Sequence, residues 1–195
     1  MKELSLKQGQ PQVLTIAADW RLSEVDYTDD IIWELKLAGG EPEALAIQTT
    51  MGLRCGGLRL FPRFVRKDGT ISNPTKFHHI PVVQQIYPNY ARLQFSPFNG
   101  IEARAEYQVV SSAVICGRFL LQNKSILKEH FRFEWVGILN PLTSGQGMVV
   151  ISLENYHVLK GGSGELSLIC CLRSSAKPGA GPFASLGEEI ELYPN

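Results

Sequence analysis

No window of this chain repeats apolar residues at i, i+3, i+4 and i+7 over three turns, the pattern of an amphipathic helix. A helical bundle is therefore excluded, and so is a helix-borne site. No apolar run approaches the ~20 residues that a membrane helix needs. The opening Met-Lys-Glu-Leu-Ser-Leu-Lys-Gln lacks the apolar core of a signal peptide. An excess of either charge is missing too. Nineteen Lys and Arg balance nineteen Asp and Glu, so no overall field draws nucleic acid or an anionic membrane surface.

Catalytic and metal motifs are just as scarce. There is no Gly-x-Ser-x-Gly elbow and no cysteine beside a histidine. Gly161-Gly162-Ser163-Gly164 lacks the Lys-Ser/Thr of a phosphate loop and reads as a turn. The four cysteines, Cys55, Cys116, Cys170 and Cys171, show no CxxC spacing, which argues against zinc. Cys116 and the Cys170-Cys171 pair lie in apolar runs and are expected to be buried free thiols. Reduced cysteines without a secretory signal point to the cytoplasm. Asn123-Lys124-Ser125 is a formal glycosylation sequon, which carries little weight without that signal. His78-His79 reads as an exposed loop doublet, and His130 and His157 fall in strands. No metal and no cofactor are expected.

Period-two alternation is abundant. Ile101, Ala103, Ala105, Tyr107 and Val109 alternate with Glu102, Arg104, Glu106 and Gln108. Ala113 to Leu121 is nearly all apolar. In His130 to Leu139, Phe131, Phe133 and Trp135 sit opposite Arg132, Glu134 and Val136. Such alternation is the strand signal, because successive side chains point to opposite faces. Further strands are expected at Gln12–Asp19, Ile31–Leu37, Glu43–Thr49, within Gly52–Phe64, at Ile80–Ile86, Tyr90–Ser96, Glu165–Leu172 and Glu189–Leu192. Met148–Leu153 and Asn155–Leu159 read as one hairpin. Leu22 to Asp30, Ser72 to His79, Pro141 to Gly147 and the Gly, Pro, Ala and Ser-rich Ser174 to Gly187 read as loops. In the Gly52–Phe64 unit, Leu58 and Leu60 face one way and Arg59, Phe61 and Arg63 the other. Pro62 suggests a strand end or a sheet edge. Many short strands with regular turn signals describe an all-β protein, a large two-sheet antiparallel sandwich in preference to a barrel. With 195 residues, residues 1–195 are expected to form one domain. The ending Glu-Leu-Tyr-Pro-Asn, directly after a strand, reads as a cut from a longer protein.

Charge is segregated along the chain. From Asp19 to Glu43 there are eight carboxylates and two basic residues, whereas Arg54 to Lys67 holds five basic residues and no acid. One reading is opposite charges paired across neighbouring strands. The other is a polar cleft or an interdomain face, in which Arg59, Phe61 and Arg63 set an aromatic between two guanidiniums. A glycosidase pair of carboxylates is not expected here, since Asp26, Asp29, Asp30, Glu41 and Glu43 sit on one polar stretch.

The run Asp26-Tyr27-Thr28-Asp29-Asp30-Ile31-Ile32-Trp33-Glu34-Leu35-Lys36-Leu37-Ala38-Gly39-Gly40-Glu41-Pro42, with Ala44 to Arg54 and Arg59-Leu60-Phe61-Pro62-Arg63-Phe64, resembles the N-terminal domain of bacterial glycogen-debranching-like glycoside hydrolases, of the amylo-α-1,6-glucosidase type. Pro97-Phe98-Asn99-Gly100 and Gly117-Arg118-Phe119-Leu120-Leu121-Gln122-Asn123 extend the likeness. It implies a galactose-mutarotase-like or supersandwich fold, followed in such enzymes by an (α/α)6 toroid that carries the catalytic acid and base. This chain has no such helical segment. The resemblance therefore implies a non-catalytic module whose partners are the helical catalytic domain of the same parent chain and an α-glucan oligosaccharide. Glu41, Gln48, Thr49, Thr50, Arg54, Arg59 and Arg63 are its expected interdomain or cleft-rim contacts. An alternative is a free-standing carbohydrate-binding sandwich using Trp20, Trp33, Tyr87 and Tyr90. A further alternative is an aldose epimerase-like enzyme, which needs a histidine and a carboxylate converging on a concave sheet face.

Overall fold

The computed structural model describes residues 4–5, 13–18, 32–50, 56–111, 114–140, 149–160, 165–176 and 183–194. In chain order the strands are β1 (Leu4–Ser5), β2 (Val13–Ala18), β3 (Ile32–Lys36), β4 (Ala46–Thr49), β5 (Gly57–Arg66), β6 (Gly69–Ile71), β7 (His79–Tyr87), β8 (Tyr90–Ser96), β9 (Ile101–Ser111), β10 (Val114–Asn123), β11 (Glu129–Asn140), β12 (Val149–Lys160), β13 (Glu165–Ala176) and β14 (Phe183–Leu192). One 3-10 turn, Pro74–Lys76, interrupts the expected loop before β7. The first sheet runs β1-β7-β8-β9-β10-β13-β12. The second runs β14-β11-β5-β4-β3-β2, with β6 added alongside β5. Every pairing is antiparallel. This is the two-sheet antiparallel sandwich that the alternation predicts.

One core joins the two sheets. Leu93, Phe95, Ala103, Ala105, Tyr107 and Phe119 come from the first, and Trp33, Leu35, Phe64, Phe131, Phe133 and Trp135 from the second. The packing is aromatic and largely edge-to-face. Phe64 meets Phe77, Phe95, Phe98, Phe131 and Phe133 at centroid distances of 5.4–6.3 Å. Such geometry sets positive ring edges on negative ring faces. Tyr107 is sealed inside, and burial pushes its phenol well above the ordinary tyrosine value.

The structure corrects the sequence reading at four points. Met148–Leu153 and Asn155–Leu159 are not two strands: residues 149–160 form one strand, with a register shift between Glu154 and His157 against β13. An extra residue in a strand costs only a local bulge, and a polar bulge looks like a turn in sequence. β14 begins at Phe183, inside the stretch read as loop. Pro62 is not at an edge, since β5 lies between β11 and β4. On the β4 side, however, β4 matches only Leu58 to Leu60, and β6 matches Phe64 to Arg66. Pro62 falls in the gap, where among the described residues no strand pairs with it on that side. Cys116 is not a free thiol but disulfide-bonded. In the strand register Cys171 stands directly opposite it. The inference of a cytoplasmic location from reduced cysteines loses its ground there. Asn123 of the sequon, to which the sequence reading attached little weight, is fully buried. Its amide donates to the Leu127 and Leu192 carbonyls, and its oxygen accepts from the Ser125 N–H. It ties the β10–β11 turn to the end of β14 and leaves no room for a glycan. Among the described residues no helix is long and apolar enough to cross a membrane.

Candidate functional site

The alternation in β5 sends Leu58 and Leu60 into the core and Arg59, Phe61 and Arg63 to the outer face of the second sheet. That face is not bare. Phe61 packs there with Val136, Ala44 and Ala46, all buried, and with Ile138. Beside them the β3–β4 turn folds back over the sheet, and Arg59 holds it. The guanidinium donates to the Pro42 carbonyl at 2.8 Å and to the Gly39 carbonyl at 3.0 Å. Arg59 is only 7% exposed, and burial lowers its pKa from the ordinary arginine value. Gly40 permits the approach. Its φ is +78°, and a Cβ there would stand 2.7 Å from Arg59 Nη1. The turn also contains a cis Glu41–Pro42 peptide.

Next to this pinned turn lies a cleft of about 390 Å³, lined by Glu34, Lys36, Gln48, Thr49, Thr50, Gly56, Gly57, Leu58, Arg59 and Asn140. β3 and β4 set Glu34 opposite Gln48, and the Gln48 amide donates to the Glu34 carboxylate at 2.6 Å. The donor on Gln48 is thereby fixed in direction. Asn140 ends β11, and its carbonyl accepts from the Gly56 N–H at 2.8 Å. The walls offer amides, hydroxyls, one carboxylate, one ammonium and the Arg59 guanidinium, without an aromatic ring among the described lining residues.

The described residues among the expected contacts divide into three groups. Gln48, Thr49, Thr50 and Arg59 come together at this cleft. Glu41 is exposed on the pinned turn. Arg63 belongs elsewhere: its Nη2 pairs with Glu134 of β11 at 2.6 Å. Arg54 lies outside the described residues, as do Trp20, Asp19, Asp26, Asp29 and Asp30.

Opposite-charge pairing exists, and among the described residues it does not join the two segregated segments. Among the described residues, the basic stretch is answered by β11, through Arg63–Glu134 and Arg66–Glu129. β5 and β11 are adjacent, so carboxylates far away in sequence lie beside the arginines. Arg132 adds a second hydrogen bond to Glu134 at 2.8 Å. Burial pushes the Glu134 carboxyl up, but the two guanidiniums together outweigh it and hold the group below the usual carboxylate value. Opposite Glu134 stands Gly187, where a Cβ would come within 2.7 Å of Glu134 Cγ.

The histidines are not assembled. His78 and His79 pack on each other with ring centroids 4.4 Å apart, and His79 Nδ1 lies 3.1 Å from Ser96 Oγ. His130 is on β11 of the other sheet, 3.6 Å from Glu189. His157 lies on β12, several strands away from β7 within the first sheet. Trp33 is fully buried and serves the core. Tyr87 is 54% exposed and stacks obliquely on Tyr90.

Sequence reasoning named Tyr87 and Tyr90 but missed the polar neighbours that share the outer face of the first sheet with Tyr90, where Arg92, Gln94, Arg104, Glu106 and Arg118 lie side by side through the β8–β9–β10 register. The signal was present as the polar half of the alternation. No family model matches the chain, and no curated protein matches it.

Proposed function

We propose that this sandwich is a non-catalytic module of an α-glucan-acting glycoside hydrolase, which packs on a helical (α/α)6 domain and borders its substrate cleft. The observation that carries the reading is the turn pinned by Arg59 beside the polar cleft. Four of the seven residues expected as rim contacts line that cleft, and a fifth, Glu41, is exposed on the turn above it. A rim must be stiff to position a substrate, and two charge-assisted hydrogen bonds give the turn that stiffness. Docking is supported at another place. Ile126 and Leu127 at the β10–β11 tip are 91% and 67% exposed, and Tyr193 is 53% exposed. Asn123 ties that tip to the end of β14. Apolar side chains presented this openly suit a partner surface.

Two measurements test the reading. The purified chain is incubated with glycogen, pullulan and maltooligosaccharides, and release of reducing ends is followed. No turnover is expected, and measurable hydrolysis of α-1,4 or α-1,6 linkages overturns the proposal. The gene is then read on both sides. A helix-rich segment of several hundred residues in the same frame is expected, and its absence overturns the docking role. A second reading, a free-standing carbohydrate-binding sandwich, is favoured by one observation: the exposed Tyr87 beside Tyr90.

A further inference from the structure

We propose that the outer face of the first sheet, from β7 to β10, binds a neutral oligosaccharide, with the Tyr87 and Tyr90 rings as its platform and Arg92 as its principal donor. The register builds this face in rows. In the first, Tyr87 stands opposite Tyr90, and Tyr90 opposite Gln108. The two rings lie 6.1 Å apart at 41°. Gln85 donates to the Tyr87 hydroxyl at 2.7 Å and sets the direction of that ring. In the second row, Arg92, Glu106 and Arg118 are consecutive cross-strand neighbours. Glu106 lies 3.3 Å from Arg104 and 3.9 Å from Arg118. Arg92 faces the same carboxylate but makes no ion pair within 4.0 Å among the described residues. In the third row, Gln94 accepts from Gln84 and donates to Glu102 at 2.7 Å. These groups border a recess of about 110 Å³, with Leu120 giving it an apolar wall.

Cross-strand pairing alone accounts for the Gln94 and Glu106 contacts. It leaves two things unexplained: a tyrosine presented to solvent and a guanidinium on a central strand with no ion pair within 4.0 Å among the described residues. A carbohydrate answers both. Sugar rings offer apolar faces to aromatics and hydroxyls to planar, oriented donors and acceptors. Arg92, Arg104 and Arg118 against Glu102 and Glu106 leave the face close to neutral, which suits an uncharged ligand better than a polyanion. From Tyr90 to Gln94 the strand advances about 14 Å, room for more than one sugar ring. Because these side chains stand on central strands of one sheet, little ordering is required on binding. The choice of an α-glucan among neutral sugars rests on the proposed function, and the choice of face does not.

Calorimetric titration of the 195-residue chain with maltoheptaose, cellohexaose, mannohexaose and hexagalacturonate tests this. Maltoheptaose binding is expected. Tyr90→Ala and Arg92→Ala should each weaken it about tenfold or more, and Lys76→Ala, on the 3-10 turn, should leave it unchanged. Tyr87→Ala, at an exposed position, should also weaken binding and serves if Tyr90→Ala fails to fold by circular dichroism. Arg92→Gln replaces Arg92→Ala in the same way. Binding of cellohexaose or mannohexaose instead, with the same losses, supports the face and removes the α-glucan assignment. The inference is overturned by three results: no neutral probe bound at millimolar concentration, binding indifferent to these substitutions, or preference for hexagalacturonate.

Discussion

Arg59→Ala tests whether the cleft is braced from within or whether Arg59 waits for a ligand. The side chain is 7% exposed and gives hydrogen bonds to two backbone carbonyls, Pro42 O and Gly39 O. A hydrogen bond to a charged group is worth about 1.5–3 kcal/mol net. The lower bound taken twice gives a loss of about 3 kcal/mol, which corresponds to about 6–12 °C in Tm for a chain of this length. Arg59→Lys should recover less than half of it, because one ammonium cannot span both carbonyls as the guanidinium fork does. Gly40→Ala supplies the second arm. Alone it meets both the collision with Arg59 Nη1 at 2.7 Å and the φ of +78°. On the Arg59→Ala background the collision is gone, and only the left-handed backbone cost of about 1–2 kcal/mol remains. The double variant should therefore lose less than the sum of the singles. Calorimetric melting of the four proteins reads this directly. A Tm change under about 2 °C for Arg59→Ala, or additive losses, refutes the bracing role.

Three other outcomes follow from the same structure. Phe64→Ala removes the ring on which five other aromatics converge, and should cost about 3–5 kcal/mol in urea unfolding; less than about 2 kcal/mol contradicts the packing argument. Glu134 is held below its ordinary 4.5 in the fold, so its contribution is present above that value and fades as pH falls through the lower folded pKa. Glu134→Gln should thus lose stability at neutral pH, by about 1 kcal/mol for these partly exposed pairs, and approach the parent protein as the pH drops below 4.5; a gap that stays constant down to about pH 2 contradicts the assignment. Peptide mapping without reductant should join Cys116 to Cys171, which the register sets opposite each other. That bond closes a loop of about 55 residues, worth about 4 kcal/mol, so reduction should lower the unfolding midpoint; a Cys116–Cys170 or Cys116–Cys55 link contradicts the register argument.

Local alternation determined much of this protein. The apolar halves of β5, β9 and β11 face the core as the sequence implies, since a period of two admits only two faces and water selects between them. Turn chemistry placed Asp68-Gly69 and Asn99-Gly100 where the chain reverses. Sequence did not separate a bulge from a turn at Glu154 to His157, because both are marked by polar residues. It could not place Pro62 within the second sheet, because the gap between β4 and β6 depends on how far each neighbour extends.

At the site the division is sharper. Composition identified the arginine strand as unusual, but strand order decided what each arginine meets. Arg59 turns to backbone carbonyls of the folded-back β3–β4 turn, while Arg63 and Arg66 find carboxylates on β11, roughly seventy residues onward. Charge acts over the few ångströms between side chains in space, and sequence distance does not enter. Tyr87 and Tyr90 were legible as candidates, but the polar face around them was hidden for the same reason: its polar residues are ordinary strand by strand. Only the register of four adjacent strands sets the two rings, Arg92 and the glutamine ladder side by side.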